Sequence, residues 1–289
     1  MTERSSSGLQ SPAPKTPPYA LTIASSDSGG GAGIQADLKT MTRLGVYGGS
    51  VVVGVTAQNS RGVTDTRVLP PDAIRAQFDA VHDDFDVGAV KLGMLATEPA
   101  VESVTECLRA YDGPVVVDPV MVATSGDRLL DEGAIDAYTD LFEQATLVTP
   151  NADETAELTG VVPDTPDRIR TAAEQFFDWG ADAVLLKGGH VETGDGSVVD
   201  TLVTPDETTT YSNPRIDTDA THGSGCTLSS AIAARLAHDD DLPTAVERGI
   251  EFTHAALSVP AVVGRGAGSV NHLVESDGEW VSVGDDDCS

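Results

Sequence analysis

The sequence predicts a three-layer α/β/α sandwich built on a largely parallel central sheet. Three observations carry this. Val-rich runs of strand length alternate with longer amphipathic stretches from residue 19 to residue 273. Most of these runs are continuously apolar, as strands covered on both faces are. Hydrophobic residues make up 40% of the 289 residues and aromatics only 4%, so small aliphatic side chains must fill the core. Strands alternating with helices imply doubly wound topology.

Strands are expected at 19–25, 49–57, 89–92, 115–117, 146–148, 183–186 and 197–203. Helices are expected at 34–44, 72–82, 99–110, 131–142, 167–179, 226–237 and 243–257. Pro71 and Pro99 suit first turns, and Gly45 and Gly180 suit the positions just past helix ends. No linker or repeat interrupts 19–273, which reads as one domain. Residues 1–18 are Ser/Pro-rich without an apolar signal core and are expected to be disordered. Residues 274–289 read as an acidic peripheral tail.

Charge excludes several function classes. Lys and Arg number 17 against 46 Asp and Glu, a net charge of -29. Such a chain repels nucleic acid and anionic membranes. It has no run of about 18 apolar residues that would cross a bilayer. The acids are spread along the chain, which fits a cytoplasm of molar salt, where the screening length falls to about 3 Å. An acidic mesophilic enzyme is the plainer alternative. The cysteines Cys107, Cys226 and Cys288 form no CxxC pair and suggest neither a disulfide framework nor a zinc site.

In open α/β sheets ligands bind beyond the carboxyl ends of the strands, so the residues there are the candidates. The first strand runs into a glycine-rich turn, Asp27 to Gly33, that opens a helix. Such a turn offers a nest of backbone N–H groups or a close approach for a ligand. Gly31-x-Gly33-x-x-Ala36 matches the loose dinucleotide fingerprint, but residues 26–30 separate it from the strand. The second strand ends Ala57-Gln58-Asn59, with no acid for a ribose. The Gln58 amide donates and accepts together, which suits a heterocycle with a ring nitrogen beside an amino group; a capped loop residue is the alternative. Met94, after the third strand, offers a soft apolar face to a flat ring or packs in the core. Asp118 follows three valines and is costly to bury unpaired. Magnesium or its bound water is a natural partner, and a helix cap is the other option.

Asn151 and Glu154 stand three apart at a helix start, so both face one way. Glu154 can hold metal-bound water near phosphates, and a plain capping box looks the same. Lys187 precedes two glycines and suits a point charge on a phosphate. Last, Thr221-His222-Gly223-Ser224-Gly225-Cys226 opens an Ala-rich helix. Its N–H groups and the helix dipole make an anion hole for a phosphoryl group in flight. Cys226, in the first turn, is expected to have a lowered thiol pKa and to act as base; a small buried cysteine under a structural turn is the alternative. His222 and Cys226 lack further clustered ligands, so a metal pair is rejected.

In order and spacing, segments 24–37, 57–59, 91–95, 118–121, 149–154, 187–190 and 221–226 resemble the hydroxymethylpyrimidine/phosphomethylpyrimidine kinases of thiamine biosynthesis, in the ribokinase-like superfamily. GGGAGIQADLKT, AQN and HGSGC are the most specific pieces, and the resemblance covers residues 19–273. It implies a ribokinase-like fold, ATP as co-substrate, Mg2+ and a homodimer. It implies phosphorylation of the hydroxymethyl group of 4-amino-5-hydroxymethyl-2-methylpyrimidine, and then of the monophosphate to the diphosphate. It also implies roles. Gln58 would read the aminopyrimidine edge, with Asp37, Met94 and Val120 lining the pocket. Lys187, Asn151, Glu154 and Thr221 would serve ATP, and Asp118 and Glu154 the metal. Gly223, Ser224, Gly225 and Cys226 would serve catalysis, Cys226 standing where most of the superfamily carries Asp. Residues 122–130 resemble a closing flap. Ser25 and the stretch 27–29 depart from the family's usual Gly and Pro, which bears on the shape of the substrate wall. Related chains often continue into a thiamine-phosphate synthase; with this sequence ending soon after His272, that activity is expected to be absent. The alternatives are a pyridoxal/pyridoxine kinase, which usually has Asp at the Cys226 position, a dinucleotide-dependent oxidoreductase and a non-catalytic vitamin sensor.

Overall fold

The computed structural model describes residues 15–121, 132–189 and 196–274. The expected flap at 122–130, His190, residues 1–14 and the tail from 275 lie outside the described residues. The elements run β1 (Tyr19–Asp27), α1 (Gly33–Arg43), β2 (Tyr47–Asn59), β3 (Gly62–Val68), α2 (Pro71–His82), β4 (Ala89–Leu92), α3 (Glu98–Leu108) and β5 (Val115–Val117). They continue with α4 (Glu132–Phe142), β6 (Leu147–Val148), α5 (Ala152–Thr159), α6 (Pro166–Asp178), β7 (Val184–Leu186), β8 (Ser197–Val203), β9 (Thr208–Pro214), α7 (Ser224–Leu236) and α8 (Leu242–Ser258).

All strands join one sheet in the order β3-β2-β1-β4-β5-β6-β7-β8-β9. From β2 across to β7 the pairings are parallel. β3, β8 and β9 are antiparallel additions at the two edges. The strand side chains alternate between two cores. Leu21, Ile23, Val90, Leu92, Val115 and Val117 face one helical layer with Phe78, Phe142 and Phe176. Ala20, Ala89, Val116, Leu147 and Leu185 face the other, with Met41, Ile232 and Val246. The second set is small, so α7 packs closely on the sheet with Ala231, Ala233 and Ala234 fully buried. That closeness brings the N-terminus of α7 down onto the strand ends.

Every expected strand is present, and the expected helices agree within a few residues. Pro71 opens α2 and Gly45 follows the end of α1 in a left-handed conformation. β3 and β9 were not expected. β3 carries Asp65 and Arg67 at an edge, and β9 is the polar run Thr-Thr-Thr-Tyr-Ser-Asn-Pro. Edge strands half in solvent lack the apolar continuity that marks buried ones.

Among the described residues, one ion pair is wholly enclosed. Lys91 Nζ on β4 lies 2.8 Å from Asp37 Oδ1 and 2.9 Å from Oδ2 on α1, and Thr22 Oγ1 donates to Oδ2 at 2.7 Å. Both charged side chains are 0% exposed. Burial works against the lysine's charge, and the facing carboxylate outweighs it and holds the ammonium protonated. Removing one partner of such a pair costs about 3–5 kcal/mol, whereas replacing both by apolar groups is often nearly neutral. Lys91→Met should therefore lower the urea midpoint strongly, and Lys91→Met with Asp37→Leu should recover most of it. Equal loss in single and double variants would show that the pair is not coupled.

Candidate active site

The carboxyl ends of the parallel strands and the N-terminus of α7 enclose a cavity of about 720 Å³. Gln58, Met94, Asp118, Val120, Asn151, Glu154, Lys187 and Thr221 to Cys226 all line it. Asp37 does not. It sits beneath the floor, committed to Lys91 and Thr22, and its expected place in the pocket wall is corrected. A carboxylate in a dry core takes the nearest buried cation.

Gly223 fixes the geometry of the turn. It caps α7 with φ +84°, a left-handed conformation natural to glycine. A Cβ there would stand 1.9 Å from Gly31 O. The two glycine-rich turns thus meet backbone to backbone. The nest after β1 is filled from within the chain. Asp27 Oδ1 accepts from Gly29 N at 2.7 Å, and Oδ2 accepts from Gly31 N and Ala32 N at 2.9 Å each. Those N–H groups are not open to a pyrophosphate, which removes the footing of the dinucleotide reading.

The cationic part of the site centres on Lys187, at the end of β7. Its Nζ lies 2.9 Å from Asp118 Oδ1 and 3.8 Å from Glu154 Oε2. Burial opposes its charge, and Asp118 and then Glu154 outweigh burial and keep it protonated. Asn151 and Glu154 do form a reciprocal capping box. Asn151 Oδ1 accepts from Glu154 N at 2.9 Å, and Glu154 Oε2 accepts from Asn151 N at 2.8 Å. The box expected from the sequence is present, and it holds Glu154 at the cavity. Burial raises the Glu154 carboxyl to about 7, with Lys187 opposing and Asp118 adding to the rise. A Cβ built on Gly225 would lie 3.4 Å from both Asp118 Oδ2 and Lys187 Nζ, so the first turn of α7 borders the cation directly.

Cys226 departs from expectation. Burial pushes its thiol up to about 11; Lys91 and the Gly33 N–H act the other way, and Asp37 and Asp118 add to the rise. The helix N-terminus does not prevail over desolvation beside two acids. The thiol is therefore protonated at neutral pH.

Sequence reasoning missed the polar chain next to Gln58. His222 Nε2 lies 3.3 Å from Gln58 Nε2 and 3.2 Å from Asp27 Oδ2. Asp27 was legible only as an acid before glycines. The far wall, with Pro214 and with Ile250, Thr253 and Leu257 of α8, was also unread.

The sequence model of the family described as phosphomethylpyrimidine kinase matches residues 27–271. A hydroxymethylpyrimidine/phosphomethylpyrimidine kinase of Streptomyces coelicolor is 48% identical over 260 residues, covering 90% of this chain and 96% of that protein. The phosphomethylpyrimidine kinase structure from Clostridium difficile 630 superposes with TM-score 0.73 at 38% identity, over 83% of this chain and 99% of that one. The ADP complex of Bacillus subtilis pyridoxal kinase gives TM-score 0.81 at 34% identity, over 89% and 98%.

The thiol's state is directly checkable. With its thiol pushed up to about 11, Cys226 should react with iodoacetamide at pH 7.5 about a hundredfold more slowly than a free cysteine, and faster as pH rises. Peptide mass mapping reads this site by site; alkylation as fast as that of a free thiol would contradict the assignment. From the glycine turn at Asp27 through to the strap beyond α8, the matched residues take in every strand end that builds the cavity, and the chain belongs to the phosphomethylpyrimidine kinase family.

Proposed function

We propose that this chain transfers the γ-phosphoryl group of ATP to the hydroxymethyl group of the aminopyrimidine alcohol, and then phosphorylates the monophosphate to the diphosphate, in thiamine biosynthesis. One observation supports this above the others. The turn at the head of α7 touches an organic-reading group and a phosphate-reading group at once: His222 meets Gln58, and Gly225 borders Lys187. The N–H of Ser224 is held by Thr221 O at 3.1 Å. A substrate ring at Gln58 and Met94 and a triphosphate at Lys187 would meet over the head of α7, at the N–H groups of Gly223, Gly225 and Cys226. That is the geometry in-line transfer needs, where positioning and charge stabilisation supply most of the rate.

The carboxylates suit a hydrated ion and not a bare one. Asp118 and Glu154 flank the site, and among the described residues no group of three or more His, Cys, Asp or Glu stands together. Mg2+ commonly keeps several waters and binds through one or two carboxylates and the substrate's phosphates. Asp118 and Glu154 would hold it in that way, and its chemistry is neutralisation of phosphate charge. Lys187 does the same at a fixed point. Cys226 takes the place beside the substrate hydroxyl. Because its thiol is protonated, we assign the alcohol's proton to a phosphoryl oxygen; a loose transfer asks little of a base.

Pyridoxal kinase is the second reading, favoured by the Bacillus subtilis likeness. The deciding assay follows products by mass in molar salt, with ATP, Mg2+ and either the pyrimidine alcohol or pyridoxal. The proposal expects pyrimidine mono- and then diphosphate. Pyridoxal phosphate alone would move the chain to the second reading. Cys226→Ala should lower kcat by about tenfold or less; a loss of 10²–10⁴ would restore the general-base role.

A further inference from the structure

His222 stands in the turn that carries the anion hole, and phosphoryl transfer gives it no task. Two of the groups it faces lie at its Nε2. One is Asp27, a carboxylate. Burial raises its pKa, but hydrogen bonds from His222, Ala32 and Gly29 outweigh burial and hold it below the usual carboxylate range. An ionised carboxylate only accepts. The His222 Nε2 that faces Oδ2 at 3.2 Å therefore carries the hydrogen. The other is the Gln58 amide, whose nitrogen lies 3.3 Å from the same Nε2. Nε2 has one hydrogen and two neighbours, at 3.2 and 3.3 Å, a three-centre arrangement; the end of the amide that can share that hydrogen is the carbonyl oxygen, not the NH₂.

The amide's other end poses the same demand. Thr56 Oγ1 lies 3.2 Å from Gln58 Oε1, and it gives its hydrogen to Ser26 O at 2.8 Å. A hydroxyl so committed has only lone pairs left for Gln58, and lone pairs call for NH₂. Both neighbours therefore favour the amide turned by 180° about its last bond, carbonyl to His222 and NH₂ to Thr56. The backbone around it is fixed: Ser28 Oγ donates to Gln58 O at 2.7 Å and accepts from Gln58 N at 2.8 Å.

We infer that Asp27, His222 and Thr56 set the direction of the Gln58 amide, and so select a ring that presents an amino donor toward His222 beside a ring-nitrogen acceptor toward Thr56. The inference rests on Gln58 being the group that meets the ring. His222 and Thr56 act here as positioning residues. A ring with an oxo group in place of the amine presents acceptor to acceptor and is rejected. Leaving such groups mismatched in a partly buried site corresponds to about a ten- to hundredfold discrimination.

The test compares the 4-amino pyrimidine alcohol with its 4-oxo analogue, by kcat/KM and by calorimetric binding, in wild type, His222→Leu, His222→Gln and Thr56→Val. Wild type should prefer the amine. His222→Leu should lose about ten- to hundredfold of that preference, mainly in KM and Kd, with kcat changed less. His222→Gln keeps an N–H near the Nε2 position and should restore most of it, and Thr56→Val should show a smaller loss in the same direction. An unchanged preference in His222→Leu or in Thr56→Val overturns the inference. If His222→Leu fails to fold, Thr56→Val decides, since it leaves the turn intact. Wild type that binds both rings equally also overturns it, whereas wild type that binds the amine selectively without phosphorylating it sinks the proposed function and leaves this inference standing.

Discussion

The contact on which the site depends is backbone against backbone, where Gly223 lies on the carbonyl of Gly31. No side chain fits between them, since a Cβ at Gly223 would stand 1.9 Å from that oxygen and one at Gly31 would stand 2.6 Å from His222 Cδ2. Because of it, the head of α7 rests on the turn after β1. His222 is thereby set between Asp27 and Gln58, and Gly225 in the next turn borders Lys187. The contact in turn requires a close α7, which the small side chains of Ala20, Ala89 and Ala231 permit.

Charge in this chain is arranged on two scales. At the surface, a net charge of -29 is a diffuse field that salt screens. In the interior, salt does not reach, and individual pairs decide. The chain has only four lysines, and two of them, Lys91 and Lys187, are held in the sheet by carboxylates from other elements. Lys91 with Asp37 forms a sealed floor; Lys187 with Asp118 and Glu154 faces the cavity. Burial pushes the Cys226 thiol up and Asp37 and Asp118 add to the rise, so the carboxylates that keep the buried lysines protonated work against a thiolate nearby.

Much of this was legible in the sequence because each strand end carries a short motif and the fold gathers strand ends in one place. Met94, Asp118, Glu154, Lys187 and the Thr221–Cys226 turn needed only local reading. Two of the misses share a cause, which is distance along the chain. Asp37 and Lys91 lie 54 positions apart, so nothing local shows that they neutralise one another. For Cys226 the helix terminus is local and visible, while the burial that outweighs it comes from tertiary packing and the acids that add to it come from α1 and the end of β5. The glycine nest was visible too, but its occupant is the chain's own Asp27. The edge strands β3 and β9 were hidden for a different reason: solvent on their outer sides removes the apolar signal that betrays an interior strand.

The central claim is that the phosphoryl group is received by the amides at the head of α7 and not by the glycine turn after β1. Backbone amide NMR on the isotopically labelled protein tests it, with ADP, aluminium fluoride, Mg2+ and the pyrimidine alcohol added together to mimic the group in flight. The account predicts large shifts at Gly223, Gly225 and Cys226, with Gly29, Gly31 and Ala32 still bonded to Asp27 and little changed. Large shifts at Gly29 to Ala32 with the α7 amides unmoved would contradict it.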